Sequence, residues 1–555
     1  MPGEREELMP NFMKAPCDEG VIRSAPRTQP CTPNVGVWVL VATILGSSMA
    51  FIDGSVVNVA LPFIQKELNA TASDVQWIVE AYSLFLASLI LVGGSLGDRF
   101  GRRRIFGLGI TIFILASLWC GLAPNVPQLI LARAIQGIGS ALLVPGSLAI
   151  ISASFSDEQR GRAIGTWSGF TAITSVVGPV LGGLFIEYAT WRWIFFLNVP
   201  LAVIVLIVLF WRVPESRDES ATGRLDWWGT FLVTFGLGAL VYGLIEAGSL
   251  GLGNITVLGM LAVGIVLLCA FLLVEARSAS PMVPLTLFHS PTFSGTNILT
   301  FLLYGALGVL TFYLPFNLIQ VQGYPAVFAG AALVPFVLML FIFSRWTGAL
   351  VNRFGAKLPL VVGPTITGLG FILFSLPGVG SGAASYWTTF FPAVIAMGAG
   401  MTITVAPLTT AVMGSVDSRH SGVASGINNA VSRTAGLLAI AILGLVVLAV
   451  FNSNLDQHLA TLHLSPTVQA AIDVQRSKLA GISIPTEVSG ANQAALKRAI
   501  NESFLSSFRL VAWVCAGLAF ASALSALFLV EGKPAPQKQV ADASAQPAPG
   551  ATREA

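Results

Sequence analysis

Three ionisable residues interrupt stretches that are otherwise apolar enough to cross a bilayer. Asp53 lies in FIDGSVVNVALP (51–62), Glu80 in QWIVEAYSL (76–84) and Arg133 in LILARAIQGIGSALLVPG (129–146). A charge at the centre of a spanning helix costs about 2.5–3.5 kcal/mol on insertion scales, so it persists beside water, a partner or a task. At 1.5 Å rise per residue, Arg133 stands about 20 residues from the basic end of its run, Asp53 about 18 and Glu80 about 17. The three therefore share one depth, and either acid can neutralise Arg133. A nearby guanidinium favours an ionised carboxylate while burial disfavours it. Small movements would thus shift a proton on or off Asp53, which is the chemistry of a proton carrier, with Arg133 and Glu80 as modulators. A static structural ion pair is the alternative use of the same residues. Gly54, Ser55 and Asn58 follow Asp53 at helical spacing, and that small and polar face should look inward.

The elements that hold these residues follow from composition. The chain has 555 residues, of which 54% are hydrophobic and 10% charged, and its mean hydropathy is +0.78. Soluble domains carry about 25% charged residues, so this is a polytopic membrane protein. Fourteen apolar runs of spanning length occur, the first over 36–60 and the last over 505–530. Arg and Lys gather after even-numbered runs, as in Arg102–Arg104, Arg160, Arg162, Arg353 and Lys357, whereas the short loops after odd-numbered runs hold only Lys66 and Arg192. This asymmetry predicts that both termini are cytoplasmic in a multi-pass inner-membrane protein. The net charge of +3 is scattered, with no basic stripe, which excludes nucleic acid as a partner. The five cysteines show no paired spacing, and no His cluster has metal-ligand context, so neither a disulfide frame nor a metal is expected. The first residues, polar and Pro-rich, lack the pattern of a secretory signal. The first span is expected to act as an uncleaved anchor.

GSLGDRFGRR (94–103) recurs as GALVNRFGAK (348–357), and Gly161, Ala163 and Gly165 return as Gly422, Ala424 and Gly426 at a similar offset. Such repeats build transporters from two bundles around a midplane site. The expected division is a cytoplasmic tail (1–35), a six-helix bundle (36–212), two inserted helices with their loops (213–291), and a second six-helix bundle (292–530). Residues 452–503 are expected to form an external loop and 531–555 a disordered cytoplasmic tail.

GSLGDRFGRRR after the second run, LILARAIQGIGSAL in the fourth and VVGPVLGG in the fifth resemble the signature motifs of the major facilitator superfamily. With IDGSVVNVALP and fourteen spans, the chain resembles the superfamily's fourteen-helix drug:proton antiporter family over roughly residues 36–530. Gly54 stands where that family usually has Thr, and Asn352 where the first-half loop has Asp98. The resemblance implies an all-α major facilitator fold of two six-helix bundles plus two inserted helices. It also implies a cytoplasmic latch made by Gly94, Asp98, Arg99, Gly101 and Arg102, whose charges can pair across the bundle interface. Topogenic contact with lipid headgroups is the other reading of the loop charges. Gly178, Pro179, Gly182 and Gly183 would form an antiport-associated bend. The residues themselves support that bend, since Pro179 removes a helix hydrogen bond and Gly178 and Gly182 make a GxxxG contact surface. Generic packing is the competing use.

A greasy cavity with scattered polar handles suits an amphiphilic ligand. Its candidate lining residues are Asn58, Tyr82, Trp167, Phe170, Tyr313, Asn317, Gln320, Asn428 and Arg433, the last able to bind an anionic group or merely a carbonyl. The sequence reading is a proton-coupled antiporter, not an enzyme, that exports amphiphilic drugs or toxic small molecules by alternating access. Its partners are the substrate, protons and the lipid bilayer, with a periplasmic adaptor as a further option. It would use no cofactor beyond the proton gradient, and no GxxxxGK[ST] loop is present for ATP. The rival readings are an exporter of one metabolite or siderophore, a proton symporter importing a nutrient, and a transport-dead sensor or scaffold.

Overall fold

The computed structural model describes residues 33–217, 226–278, 281–380, 382–417, 421–462 and 464–532. The first 32 residues and the tail from 533 lie outside them, as do His420 and His463. Among the described residues, fourteen helices are long and apolar enough to cross a membrane. Helices α1 (Pro33–Glu67), α2 (Ala72–Phe100), α3 (Arg102–Leu122), α4 (Val126–Ser154), α5 (Asp157–Tyr188) and α6 (Trp193–Arg212) pack into a first bundle. A hairpin of α7 (Trp227–Leu250) and α8 (Ile255–Arg277) follows. The second bundle comprises α9 (Pro291–Val321), α10 (Val334–Phe354), α11 (Lys357–Phe374), α12 (Phe391–Gly414), α13 (Ser421–Ala460) and α14 (Ala491–Leu529). A short turn, Ala326–Ala331, leads into α10.

Short connections start these helices with side-chain caps. Thr71 and Asp74 form a reciprocal capping box at α2, and Asn125 accepts from the Gln128 amide at α4, so each satisfies amides that a helix start leaves open. The even-numbered α2–α6 and α10–α12 connections carry the basic residues, and the face they define is called the basic face below; the opposite one is the far face. The inserted hairpin is not peripheral on both sides. Helix α7 packs on α2 and α13, where Leu84, Leu237, Val241, Ile245, Leu437 and Ala441 form a buried cluster. Its partner α8 turns Val263, Val266 and Leu273 outward, as a lipid-facing helix does.

The expected loop over 452–503 is mostly helical. Helix α13 runs on to Ala460, a further helix covers Pro466–Asp473, and α14 begins at Ala491. Apolar-run counting stops where the bilayer stops, but helix formers continue beyond it. These extensions bury Leu455, Leu459, Val468, Ile472, Leu496 and Ile500 against one another, which holds them in place.

Candidate functional site

Helices α1, α2 and α4 converge on a fully buried ionic network. The Arg133 guanidinium donates through Nη1 to Asp53 Oδ2 at 2.6 Å and to Gln136 Oε1 at 2.7 Å. Gln136 Nε2 donates in turn to Asp53 Oδ1 at 2.9 Å, and Arg133 Nε donates to the Ile78 carbonyl at 3.1 Å. Both carboxylate oxygens therefore have a donor. The Tyr82 ring lies over the guanidinium, 4.2 Å from Arg133 Cζ to the centroid, and the Tyr82 hydroxyl accepts from Ser140 Oγ at 3.0 Å. Cation–π contact and charge-assisted hydrogen bonds both strengthen where water is excluded. Gln136 was missed in the sequence, although it stands three residues after Arg133 and so on the same helix face.

Glu80 is not part of this network. It is fully buried at the same level, yet neither carboxyl oxygen has a hydrogen-bond partner. Gln76, one turn earlier on the same helix, donates to the Tyr313 hydroxyl of α9 at 3.1 Å. Of the two acids that could neutralise Arg133, the structure pairs Asp53 and leaves Glu80 without a hydrogen bond. Spacing sets depth along a helix, but not which way a side chain points around it.

The network borders a cavity of about 520 Å³ between the bundles. Of the nine expected lining residues, Asn58, Tyr82, Trp167, Asn428 and Arg433 surround it. The other four do not. Phe170 is 54% exposed on α5 and lies off the cavity wall. Tyr313 is taken up by Gln76, Asn317 accepts from Gln322 at 3.2 Å, and Gln320 donates to Gln65 of α1 at 3.1 Å. Asn317 and Gln320 lie in a π-helical turn over Asn317–Val321, which shifts the phase that regular spacing assumes, whereas Tyr313 precedes it in regular helix. Tyr313 and Gln320 make contacts with the first bundle, and none of the three lines the cavity. Gln65 also donates to the Lys478 carbonyl at 3.1 Å, and Lys478 Nζ donates to Asn69 at 2.5 Å.

The glycine motif of α5 touches both bundles. A Cβ on Gly178 would come within 2.6 Å of Ser55 Oγ, and one on Gly182 within 2.4 Å of Val56, so α5 rests directly on the turn of α1 that follows Asp53. On its other side, a Cβ on Gly183 would reach 2.6 Å from the Ala326 carbonyl, and one on Gly330 2.1 Å from that of Pro179. Substitution there would separate the helices. On these helices Phe170, Ile173, Leu338 and Ile342 are exposed.

The basic-face loop also differs from expectation. Asp98 binds Arg102, with Oδ1 2.8 Å from both Nε and Nη2, while Arg99 is exposed and lies over the Phe100 ring. Gly101 has φ +108°, which favours glycine, and Gly94 and Gly97 sit in the preceding turns. The group that clamps this loop is Glu215, beyond the end of α6. Its Oε1 accepts from the Arg103 amide at 2.9 Å, and its carboxylate lies near Arg103 and Arg104. A carboxylate at the start of α3 also complements the helix dipole. Where pairing across the bundle interface is expected, Asp98 pairs within the first bundle, with Arg102. Glu215 carried no signal beyond being one acid in a polar connection.

Comparison with known proteins bears on this geometry. A family model described as Major Facilitator Superfamily matches residues 43–440. The chain is 35% identical over 450 residues to the multidrug resistance protein Stp of Mycobacterium tuberculosis, covering 80% of this chain and 81% of that one. It is 30% identical over 501 residues to the tetracenomycin C resistance and export protein of Streptomyces glaucescens, covering 89% and 92%. It is 33% identical over 429 residues to the puromycin resistance protein pur8 of Streptomyces alboniger, covering 76% and 84%. Among solved structures, a bacterial homolog of the human lysosomal transporter Spinster superposes with a TM-score of 0.59 at 17% identity, covering 89% of this chain and 98% of that one. An auto-inhibited POT family peptide transporter gives 0.60 at 15%, covering 89% and 96%. At these identities the structural matches speak for the fold.

Proposed function

The chain belongs to the major facilitator superfamily, and from that premise we propose that it exports amphiphilic drugs in exchange for protons. The observation that carries the reading is Asp53, buried and ionically paired to Arg133, with Arg133 itself on the wall of the cavity. An ion pair one side chain away from a ligand space can report on what fills that space. Substrate entering beside Arg133 changes the field at Asp53, and a proton on Asp53 cancels its charge and releases Arg133. Because α5 rests on the following turn of α1 and on the entry to α10, a shift of α1 is felt at the far-face contact of Gln65 with Gln320. Glu80, buried without a hydrogen bond, is a second proton acceptor, one turn from Gln76, which reaches α9.

The orientation in this reading puts the basic face, and both termini, in the cytoplasm of the inner membrane. The cavity then fills from the cytoplasm while Gln65, Gln320 and Lys478 close the outside. The first bundle (36–212) and second bundle (292–530) rock as units, with residues 213–291 inserted between them. The Asp98–Arg102 pair and the Glu215 clamp stiffen the first. The proton-motive force supplies about 2.3 kcal/mol per charge per 100 mV, in place of ATP or a cofactor. Everted vesicles holding the protein, with an acidified interior, test the reading with tetracenomycin C and puromycin as probes. Uptake that a protonophore abolishes is expected; uptake indifferent to the protonophore, or none with either probe, would contradict it.

A further inference from the structure

We infer that Gly54 decides the size of substrate the cavity accepts, by leaving a bare patch of α1 against which a large flat ring system can lie; this rests on the export reading above. Gly54 lies in the interior of α1, where glycine weakens a helix relative to alanine. Close packing is one use that offsets this cost. Gly178 and Gly182 serve it, since a Cβ on either would collide with Ser55 or Val56. Gly54 does not: a Cβ built there meets no atom within 4 Å. The residue is exposed although Ile52, Asp53, Val56 and Val57 around it are buried. The space it faces is the cavity, which it lines with Phe51 and Asn58 of the same helix. Its use is therefore on the ligand's side.

The second bundle has a matching position. Gly436 lies inside α13 and lines the same cavity, and a Cβ on it likewise meets no atom within 4 Å. Gly308 of α9 also lines the cavity but has a packing use, because a Cβ there would stand 3.1 Å from the Gly436 Cα. Each bundle thus offers the ligand a stretch of helix backbone with no side chain in front of it. Bare backbone lets a planar ligand approach a helix closely, and the volume of about 520 Å³ lies within the range of drug-sized pockets. Trp167, Phe312 and Phe336 stand elsewhere on the wall, where aromatic rings favour another ring in offset or edgewise contact. The substrate class is thus an extended fused aromatic in preference to a smaller one. A side chain at position 54 would take up the ligand's space and leave the protein's own packing untouched, so size selection there is separable from folding.

Two uncharged probes with the same polar group and different ring systems test this: 1-pyrenemethanol, the larger, and 1-naphthalenemethanol, the smaller. Fluorescence titration of the purified full chain in nanodiscs of neutral lipid, with empty nanodiscs subtracted, reads binding without transport. A failure of size selection is therefore distinct from a failure of export in vesicles. Gly54→Val and Gly54→Thr, which share one shape, are each expected to weaken the pyrene probe by at least about tenfold, or about 1.4 kcal/mol, and the naphthalene probe by less than about threefold. Gly54→Ala should fall between these variants and the parent. Gly259 of α8 is also open to a Cβ, exposed and off the cavity, so Gly259→Val should change neither probe. The thermal unfolding midpoint of each Gly54 variant should not fall below the parent's, because every replacement is a better helix former than glycine. Equal losses for the two probes, undiminished pyrene binding by Gly54→Val, a loss in Gly54→Thr alone, or no pyrene binding by the parent would overturn the proposal. So would a lowered midpoint in Gly54→Ala, which would give Gly54 a packing role, or a pyrene loss in Gly259→Val.

Discussion

The two bundles bury their polar groups in opposite ways. The first closes a carboxylate, a guanidinium and an amide into a network in which both oxygens of Asp53 have donors. The second buries neutral groups, with Asn428 donating to Asn297 and Thr300 and Asn297 donating to the Phe293 carbonyl at 2.9 Å. From this bundle Arg433 lines the cavity. A neutral amide cluster fixes a helix contact but has no proton to exchange, whereas an ion pair can change its net charge by one. On the export reading proposed above, the first bundle is the one that responds to protons.

Substitutions that exchange these characters should differ in size. Arg133→Ala has the largest expected effect. Removing one partner of a buried pair costs about 3–5 kcal/mol, and proton-driven uptake in everted vesicles should fall to background. Near-normal uptake would make the first bundle's charges as dispensable as neutral ones. Gln136→Leu comes next, because it strips Asp53 Oδ1 of its donor while leaving the ion pair. An unsatisfied buried acceptor costs about 1–3 kcal/mol, so uptake should drop about tenfold in the same assay; an unchanged rate would remove Gln136 from the network. Asn428→Ala should be the mildest. Lost neutral hydrogen bonds cost about 1 kcal/mol, so the midpoint of thermal unfolding should fall slightly while the protons moved per substrate stay unchanged. A changed stoichiometry would break the contrast between the bundles.

Much of this arrangement is legible in the sequence, and what is not has two physical causes. Helix length and loop charge depend on the bilayer, so the fourteen spans could be counted directly, and depth along α1 and α4 placed Asp53 level with Arg133. Rotation about a helix axis is harder to read when apolar residues surround it on every side. Hence spacing groups Glu80 with Arg133, although its carboxyl makes no hydrogen bond, and places Tyr313, Asn317 and Gln320 on the cavity, although their side chains bond to Gln76, Gln322 and Gln65. Gln136 was within reach, three residues from Arg133. Glu215 was not, because its role depends on the chain beyond α6 folding back over Gly101, a contact between residues far apart in sequence.

The most direct test concerns the proton itself. Purified protein in weakly buffered detergent solution, mixed with a transported substrate, should release protons that a pH-indicator dye detects. Asp53→Asn preserves the shape of the side chain but has no proton to exchange. It should bind substrate within about threefold of the parent, a change below about 1 kcal/mol, while the proton signal disappears. Undiminished proton release by Asp53→Asn would contradict a proton carrier at Asp53 and move the assignment to Glu80.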